Sequence, residues 1–321
     1  MNNSSSHPNC SINDFKYHVY PATYLTIWVV GFFGNGVSLI IFCKPKKKWS
    51  SVNMYLFNLL ISDLILVCAL PFRVTYYLME SHWIFGDAMC RIMSYAFYLT
   101  MYSSIYFLMV LSIMRFLAIV RPYKFVMLRN TDSAKIVCCI VWFFVAAASS
   151  PLLLSGIKNQ GDKVKCLDPE SRSVQTILLM NYVVLLIGCL IPFTVIVVCY
   201  FFVVKTLMKP RNTQKKRPSH KKSAAMVIIV TCIFLICFLP YHIVRTLFLE
   251  TYRIQSLLPS SESCDYINCI HKVAVVTLCL AASNSCLDPL LYFFVGENFM
   301  YWWRKRKQQT ELKQLNTKDP N

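Results

Sequence analysis

The sequence predicts an all-α membrane protein: a seven-transmembrane helix bundle followed by a short amphipathic helix on the membrane surface. Three observations lead there. Of the 321 residues 56% are hydrophobic and only 15% charged, a lower charge content than soluble domains carry. The apolar residues come in long blocks rather than in short periodic patches. The polar segments between blocks alternate between strongly basic and mildly acidic, as the loops of a multi-span protein do.

The spans read, in order, as Pro21–Cys43, Val52–Met79, Asp87–Val120, Ser133–Ser155, Val174–Met208, His220–Glu250 and Ile267–Val295. One set of connecting segments holds Lys44, Lys46, Lys47 and Lys48, then Arg121, Lys124, Arg129 and Lys135, then the run from Lys209 to Lys222, and finally Arg304 to Lys307. The other set holds Glu80, Asp87, Asp162, Asp168, Glu170, Glu262 and Asp265. Positive residues stay inside, so the N-terminus is outside and the C-terminus cytoplasmic, which requires an odd number of spans. Residues 1–20 are then an outside tail, 21–295 the seven-span domain, 296–307 the amphipathic helix and 308–321 a cytoplasmic tail. The outside tail carries sequons at Asn2, Asn3 and Asn9 and no signal peptide. In the amphipathic helix Phe299, Trp302 and Trp303 share a face beside Arg304–Lys307, with no cysteine beyond them to carry a palmitate. The formal charge of +18 is explained by topology and anionic lipid rather than by nucleic acid.

Span three is the rod of the bundle. Cys90 and Arg115 lie about 37 Å apart on one helix, more than the ~30 Å hydrocarbon core. Ten cysteines fall within spans and are expected as core packing; Cys10, Cys90, Cys166, Cys264 and Cys269 lie on the outside. The expected disulfides are Cys90–Cys166 and Cys10–Cys264. Cys269 is left over, so the odd count leaves one assignment open.

Polar residues inside spans need reasons. Asp63 has candidate companions in Asn35, Ser104, Asn284 and Asp288. Two carboxylates and several neutral oxygens suit a small cation such as sodium; the other reading is a protonated, hydrogen-bonded packing cluster. Nearer the outside, Arg73 with Tyr76 and Tyr77, the stripe Arg91–Tyr95–Tyr98–Tyr102, Tyr241 with Arg245, His271 and Lys16 outline a pocket of aromatic hydroxyls and positive groups. Its acids are too few to neutralise it, so the negative charge is expected to arrive with an acidic, partly apolar ligand. The competing reading is tyrosines at interfacial height with snorkelling arginines. Pro71, Pro192, Pro240 and Pro289 sit inside spans, where each frees a carbonyl and permits a kink.

Cys90 with Cys166, Asn35 in GN, Asp63 in NLLISDL, Arg115, Trp142, Pro192 with Tyr200, FLPY at Phe238–Tyr241 and DPLLY at Asp288–Tyr292 occur one set per span. Together they resemble the rhodopsin-like G-protein-coupled receptors, from about Tyr20 to Phe299. WIFGD, CRIMSY, MYSSIYFL, RFLAIV, FLPYH-x-x-RT, LAASN and GENF are similar, more narrowly, to the cysteinyl leukotriene receptors, the type two pattern above all. Asp288 departs toward type one, and Thr100 stands where relatives tend to have an asparagine near the ion pocket.

The resemblance implies an agonist such as leukotriene C4 or D4, contacted by Lys16, Arg73, Tyr76, Tyr98, Arg245 and His271. It implies coupling to a Gq/11 protein, phospholipase C and calcium. Ile105, Pro192 and Phe234, with Phe238, Pro240 and Pro289, would transmit an outward swing of span six; Arg115, Tyr200 and Tyr292 would hold the open form. The chain departs from the family at Met114, where an acid usually precedes the arginine, and at His220, where some relatives place another. The tail offers only Thr310 and Thr317 for phosphorylation, so weak tail-dependent arrestin recruitment is expected.

Rival classes fit poorly. A retinal protein needs a lysine midway down span seven, whereas Lys272 is at its outer start and Ala282 lies deeper. A transporter would show internal repeats and broken midplane helices. None of the six histidines forms a catalytic or ligating pair. A receptor for another acidic ligand, a nucleotide or dicarboxylate, is the remaining alternative; apolar Val244, Leu247 and Phe248 around Arg245 favour a lipid.

Overall fold

A bilayer offers no partner for backbone N–H and C=O groups, so apolar stretches this long close their hydrogen bonds within helices. The computed structural model describes residues 11–43, 49–123, 130–154, 156–166, 174–208, 226, 228–257 and 264–295. Among these, seven helices of 24 to 35 residues are long and apolar enough to cross a membrane. They are α1 (Asn13–Phe42), α2 (Ser51–Leu78), α3 (Gly86–Val120), α4 (Thr131–Leu154), α5 (Gln175–Met208), α6 (Ile228–Thr251) and α7 (Asp265–Phe293). The amphipathic helix expected at 296–307, the three sequons, His220, Thr310 and Thr317 lie outside the described residues.

α3 is the rod that the sequence indicates. Its most apolar stretch is 56% buried, as is that of α2, whereas α4 is 22% buried and shows most of its surface to lipid. Ile105, Phe107, Leu108 and Leu111 of α3 are fully buried against Leu56, Leu59 and Leu60 of α2, Phe234 and Phe238 of α6, and Tyr292 of α7.

Four details correct the sequence reading. α1 begins at Asn13 and runs through Pro21, rather than starting there. Proline's fixed φ suits a helix, and the hydrogen bond it removes is near the N-terminal end. Span seven is two helices, Cys264–Ala282 and Asn284–Val295, hinged at Ser283. Several span cysteines are not core: Cys43, Cys68, Cys139 and Cys232 are exposed, while Cys138, Cys189, Cys199, Cys237 and Cys279 are buried. A hairpin, β1 (Lys158–Gln160) paired antiparallel with β2 (Lys163–Lys165), lies between α4 and α5. It turns at Gly161, whose φ of 58° favours glycine.

The prolines of α5 and α6 each follow a π turn. In Leu185–Leu190 the Ile191 N–H bonds the Leu186 carbonyl, and in Phe234–Phe238 the Leu239 N–H bonds the Phe234 carbonyl. These wider turns give Pro192 and Pro240 room that an α-helical carbonyl would deny them. The π-spaced partner of Pro192 is the Ile187 carbonyl, which accepts instead from the Tyr106 hydroxyl at 2.9 Å. In α7 Pro289 leaves the Ser285 carbonyl without its α-helical donor, and Asn35 Nδ2 of α1 supplies one at 2.9 Å. The asparagine in GN and the proline in DPLLY are thus two halves of one repair.

The hairpin caps the C-terminal end of α2 and the N-terminal end of α3. Cys90 is bonded to Cys166, Trp83 N–H donates to Val164 O at 2.7 Å, and Val164 N–H donates to His82 Nδ1 at 3.1 Å. Lys163 Nζ sits 2.7 Å from Glu80 and holds its carboxyl below the usual range. Cys10–Cys264 lies outside what the structure describes, and Cys269 is a free, exposed thiol.

Candidate functional site: two arginines among aromatic rings

Two guanidinium groups in the half of the bundle that carries the hairpin are surrounded by aromatic rings. Arg73, on α2, is 4% exposed, and its guanidinium lies 3.8 Å above the Phe97 ring. Tyr20, Tyr24 and Tyr77 form a contiguous cluster beside it: Tyr20 stacks on Tyr77 at 4.2 Å and on Tyr24 at 5.3 Å. Arg73 Nε and the Tyr24 hydroxyl are buried without a hydrogen-bond partner among the described residues.

Arg245, on α6, donates from Nη1 to the Tyr98 hydroxyl at 2.9 Å and the Tyr241 hydroxyl at 2.6 Å, and from Nε to Asn181 Oδ1 at 3.2 Å. It therefore ties α3, α5 and α6 together through neutral groups. Among the described residues no carboxylate contacts either arginine. Cation–π contacts contribute about 0.5–2 kcal/mol each, far less than the desolvation of a guanidinium.

Of the other residues singled out in the sequence, His271 faces Phe248, with ring centroids 4.6 Å apart, and lies near Lys16. Tyr76 packs on Trp83 under the hairpin, in the cluster of the Cys90–Cys166 disulfide, while Tyr77 turns to the Arg73 side. The α3 stripe divides. Tyr98 faces Arg245 and Tyr102 faces His242, but Tyr95 donates to Ala146 O of α4, and Arg91 bonds Asp87 and Leu153 O. At about 100° per residue the stripe spans about 60°, wide enough for its members to meet different neighbours.

Tyr102 rests on Gly188 of the α5 π turn: a Cβ added there would lie 2.7 Å from Tyr102 Cε1. Its hydroxyl meets His242 Nε2 at 3.3 Å, and His242 Nδ1 bonds the Phe238 carbonyl at 2.9 Å. Gly188→Ala is expected to destabilise the protein by about 1–3 kcal/mol, as overpacking does. A lowered melting temperature of the purified protein, recovered when Tyr102 is also truncated to alanine, is the check. An unchanged melting temperature would count against the contact.

Deeper in, Tyr292 of α7 donates to Asp63 Oδ2 at 2.7 Å, and Asn284 Nδ2 to Asp288 Oδ2 at 3.3 Å. Asp63 faces Asp288, and the Oδ1 atom of each is buried without a hydrogen bond among the described residues. Ser104 turns away to Ser62, at 3.1 Å. Two facing carboxylates inside a bilayer require a compensating positive charge, a proton or a small cation, and the all-oxygen donor set fits a hard cation.

Near the C-terminal end of α3, Arg115 Nε points to Met226 Sδ at 2.7 Å, and Met114 is 6% exposed. Ile105, Phe234 and Phe238 are fully buried, and Phe193, next to Pro192, stacks on Phe234 at 5.5 Å. Pro240 is half-buried beyond the second π turn, and Pro289 packs on Gly34. Tyr200 is half-buried on α5.

Asn181, Gly188, Tyr20, Tyr24 and Met226 were not singled out in the sequence. Asn181 carried a usable signal, a lone amide in the apolar run LLMNYVVLL. The others resemble ordinary span residues.

Residues 34–292 match the 7 transmembrane receptor (rhodopsin family) profile. The chain belongs to the rhodopsin family of seven-transmembrane receptors; it is a multi-pass membrane receptor and not an enzyme. It is 44% identical to cysteinyl leukotriene receptor 2 of Homo sapiens over 93% of this chain and 83% of that one. It is 42% identical to cysteinyl leukotriene receptor 1 of Homo sapiens over 92% and 87%, and 36% identical to lysophosphatidic acid receptor 6 of Gallus gallus over 90% and 94%.

Proposed function

We propose that the protein is a plasma-membrane receptor for cysteinyl leukotrienes, with its N-terminus outside, and that leukotriene C4 or D4 is its agonist. The observation that carries this reading is Arg245, held by Tyr98, Tyr241 and Asn181 with no acid in contact among the described residues. With Arg73 in its aromatic surroundings, it offers two cationic points among apolar walls, which suits a fatty chain bearing carboxylates. The similarity to cysteinyl leukotriene receptors of both types supports the ligand class.

Agonist favours a form in which the inner end of α6 moves out and admits the C-terminal helix of a G protein, Gq/11 by family analogy, giving phospholipase C and calcium signals. A sodium ion in the polar centre would be held by Asp63 and Asp288, with Asn284 at hand, and would supply the charge these carboxylates need.

The test is calcium mobilisation in receptor-null cells challenged with leukotrienes C4, D4 and E4, nucleotides and dicarboxylates, with Arg73→Ala alongside. Responses confined to leukotrienes, and reduced by Arg73→Ala at equal surface expression, are expected. Responses to nucleotides or dicarboxylates alone would overturn the reading.

Met114→Asp would place a carboxylate next in sequence to Arg115, whose Nε lies 2.7 Å from the Met226 thioether. An ion pair worth about 1 kcal/mol would shift the resting equilibrium roughly fivefold toward the closed form. Agonist-free signalling is expected to fall accordingly, and an unchanged or higher basal signal at equal surface expression would defeat this account.

A further inference from the structure

We propose that Asn181 is a positioning residue for Arg245, fixing the guanidinium so that Nη2 is the nitrogen left for an anionic ligand. Asn181 is 6% exposed, on α5, between two side chains of α6. Arginine only donates, so the amide oxygen must face Arg245 Nε, at 3.2 Å. The amide nitrogen then faces Thr246 Oγ1, at 2.9 Å, and the Thr246 hydroxyl donates to the His242 carbonyl at 2.9 Å. The direction of every bond in this chain is determined, and the amide cannot flip without setting donor against donor.

Arg245 uses Nε on Asn181 and both N–H groups of Nη1 on Tyr98 and Tyr241. Nη2 makes no hydrogen bond among the described residues. With Nε and Nη1 taken, a carboxylate meets this guanidinium at one nitrogen rather than as a two-point fork, unless a phenol or the amide yields. Asn181 thereby sets both the direction and the geometry of approach. This rests on the reading that the ligand is acidic.

Binding of leukotriene D4 and of its methyl-esterified form to the wild type, Asn181→Leu and Asn181→Asp tests it. Asn181→Leu removes the restraint on Nε, and acid affinity is expected to fall about tenfold. Asn181→Asp puts a carboxylate on Nε and neutralises Arg245, for a fall of about a hundredfold. The ester is expected to change by no more than about twofold with either.

A role in packing alone gives the opposite order, because aspartate is the isostere of asparagine and leucine is not. Equal losses for acid and ester, or an aspartate variant that binds the acid like wild type, would overturn the proposal. A ligand-free arm is a double-mutant cycle on the melting of purified receptor, pairing Asn181→Leu with Arg245→Leu. Coupled effects support the positioning role and additive effects refute it. If wild type binds no leukotriene, the ligand reading fails while the cycle still decides the role of Asn181.

Discussion

Replacing Arg245 with alanine is expected to raise the agonist concentration for a half-maximal calcium response by at least about a hundredfold. Truncating one member of a buried, hydrogen-bonded charge contact costs about 2–5 kcal/mol, and each 1.4 kcal/mol is a factor of ten. Two losses combine: the ligand's partner disappears, and Tyr98, Tyr241 and Asn181 lose the group that joins their three helices. Arg245→Lys is expected to recover little. An ammonium keeps the charge but cannot hold a planar array of bonds on three helices. Concentration–response curves at matched surface expression are the check. A shift of less than about tenfold in both variants would remove Arg245 from the ligand contacts.

The second large effect is expected at the disulfide. Cys90 and Cys166 are 76 residues apart in sequence and are 0% and 2% exposed beneath the hairpin. Closing a loop of that length in a free chain is worth up to about 4.5 kcal/mol, less where the intervening span is already inserted in lipid. Cys90→Ser and Cys166→Ser are each expected to strip most receptor from the cell surface, with the double variant no worse than either single one. The hairpin's other ties are two hydrogen bonds joining Val164 to Trp83 and His82, of about 1 kcal/mol each, and a solvent-screened Glu80–Lys163 pair; they do not replace the covalent link. Surface labelling and the melting temperature of detergent-purified protein read the outcome. Single variants at wild-type levels would show that the hairpin is held well enough without it.

Much of this arrangement was legible in the sequence because bilayers impose simple rules. Long apolar blocks had no alternative to helices, and charges within them had to be special, which brought out Asp63, Arg73, Arg115, Asp288 and Arg245 before any coordinates. What stayed hidden depended on rotation and close approach. The α3 stripe looked like one surface, yet Tyr95 faces α4 while Tyr98 and Tyr102 face α6. Asn181 was a lone amide outranked by charges. Gly188 gave no hint that a tyrosine ring would rest on it. The hairpin was missed because KNQGDKVK is short and lysine-rich, and it owes its place to the disulfide and to His82 and Trp83 rather than to strand propensity. The prolines announced kinks, but not that Asn35 would make good the carbonyl freed by Pro289.

The π turns of α5 and α6 have a consequence for how these helices tolerate change in length. A π turn is a helix carrying one residue more than its α-helical ladder needs. Deleting one residue from Phe234–Phe238 would remove the extra residue and leave Tyr241, His242 and Arg245 close to their present facing, but it would set the Pro240 ring against an α-helical carbonyl. Deleting one residue from the regular helix between Pro240 and Arg245 would instead turn Arg245 by about 100°, away from Tyr98 and Asn181. The number of residues between the π turn and Arg245 thus fixes where the guanidinium points.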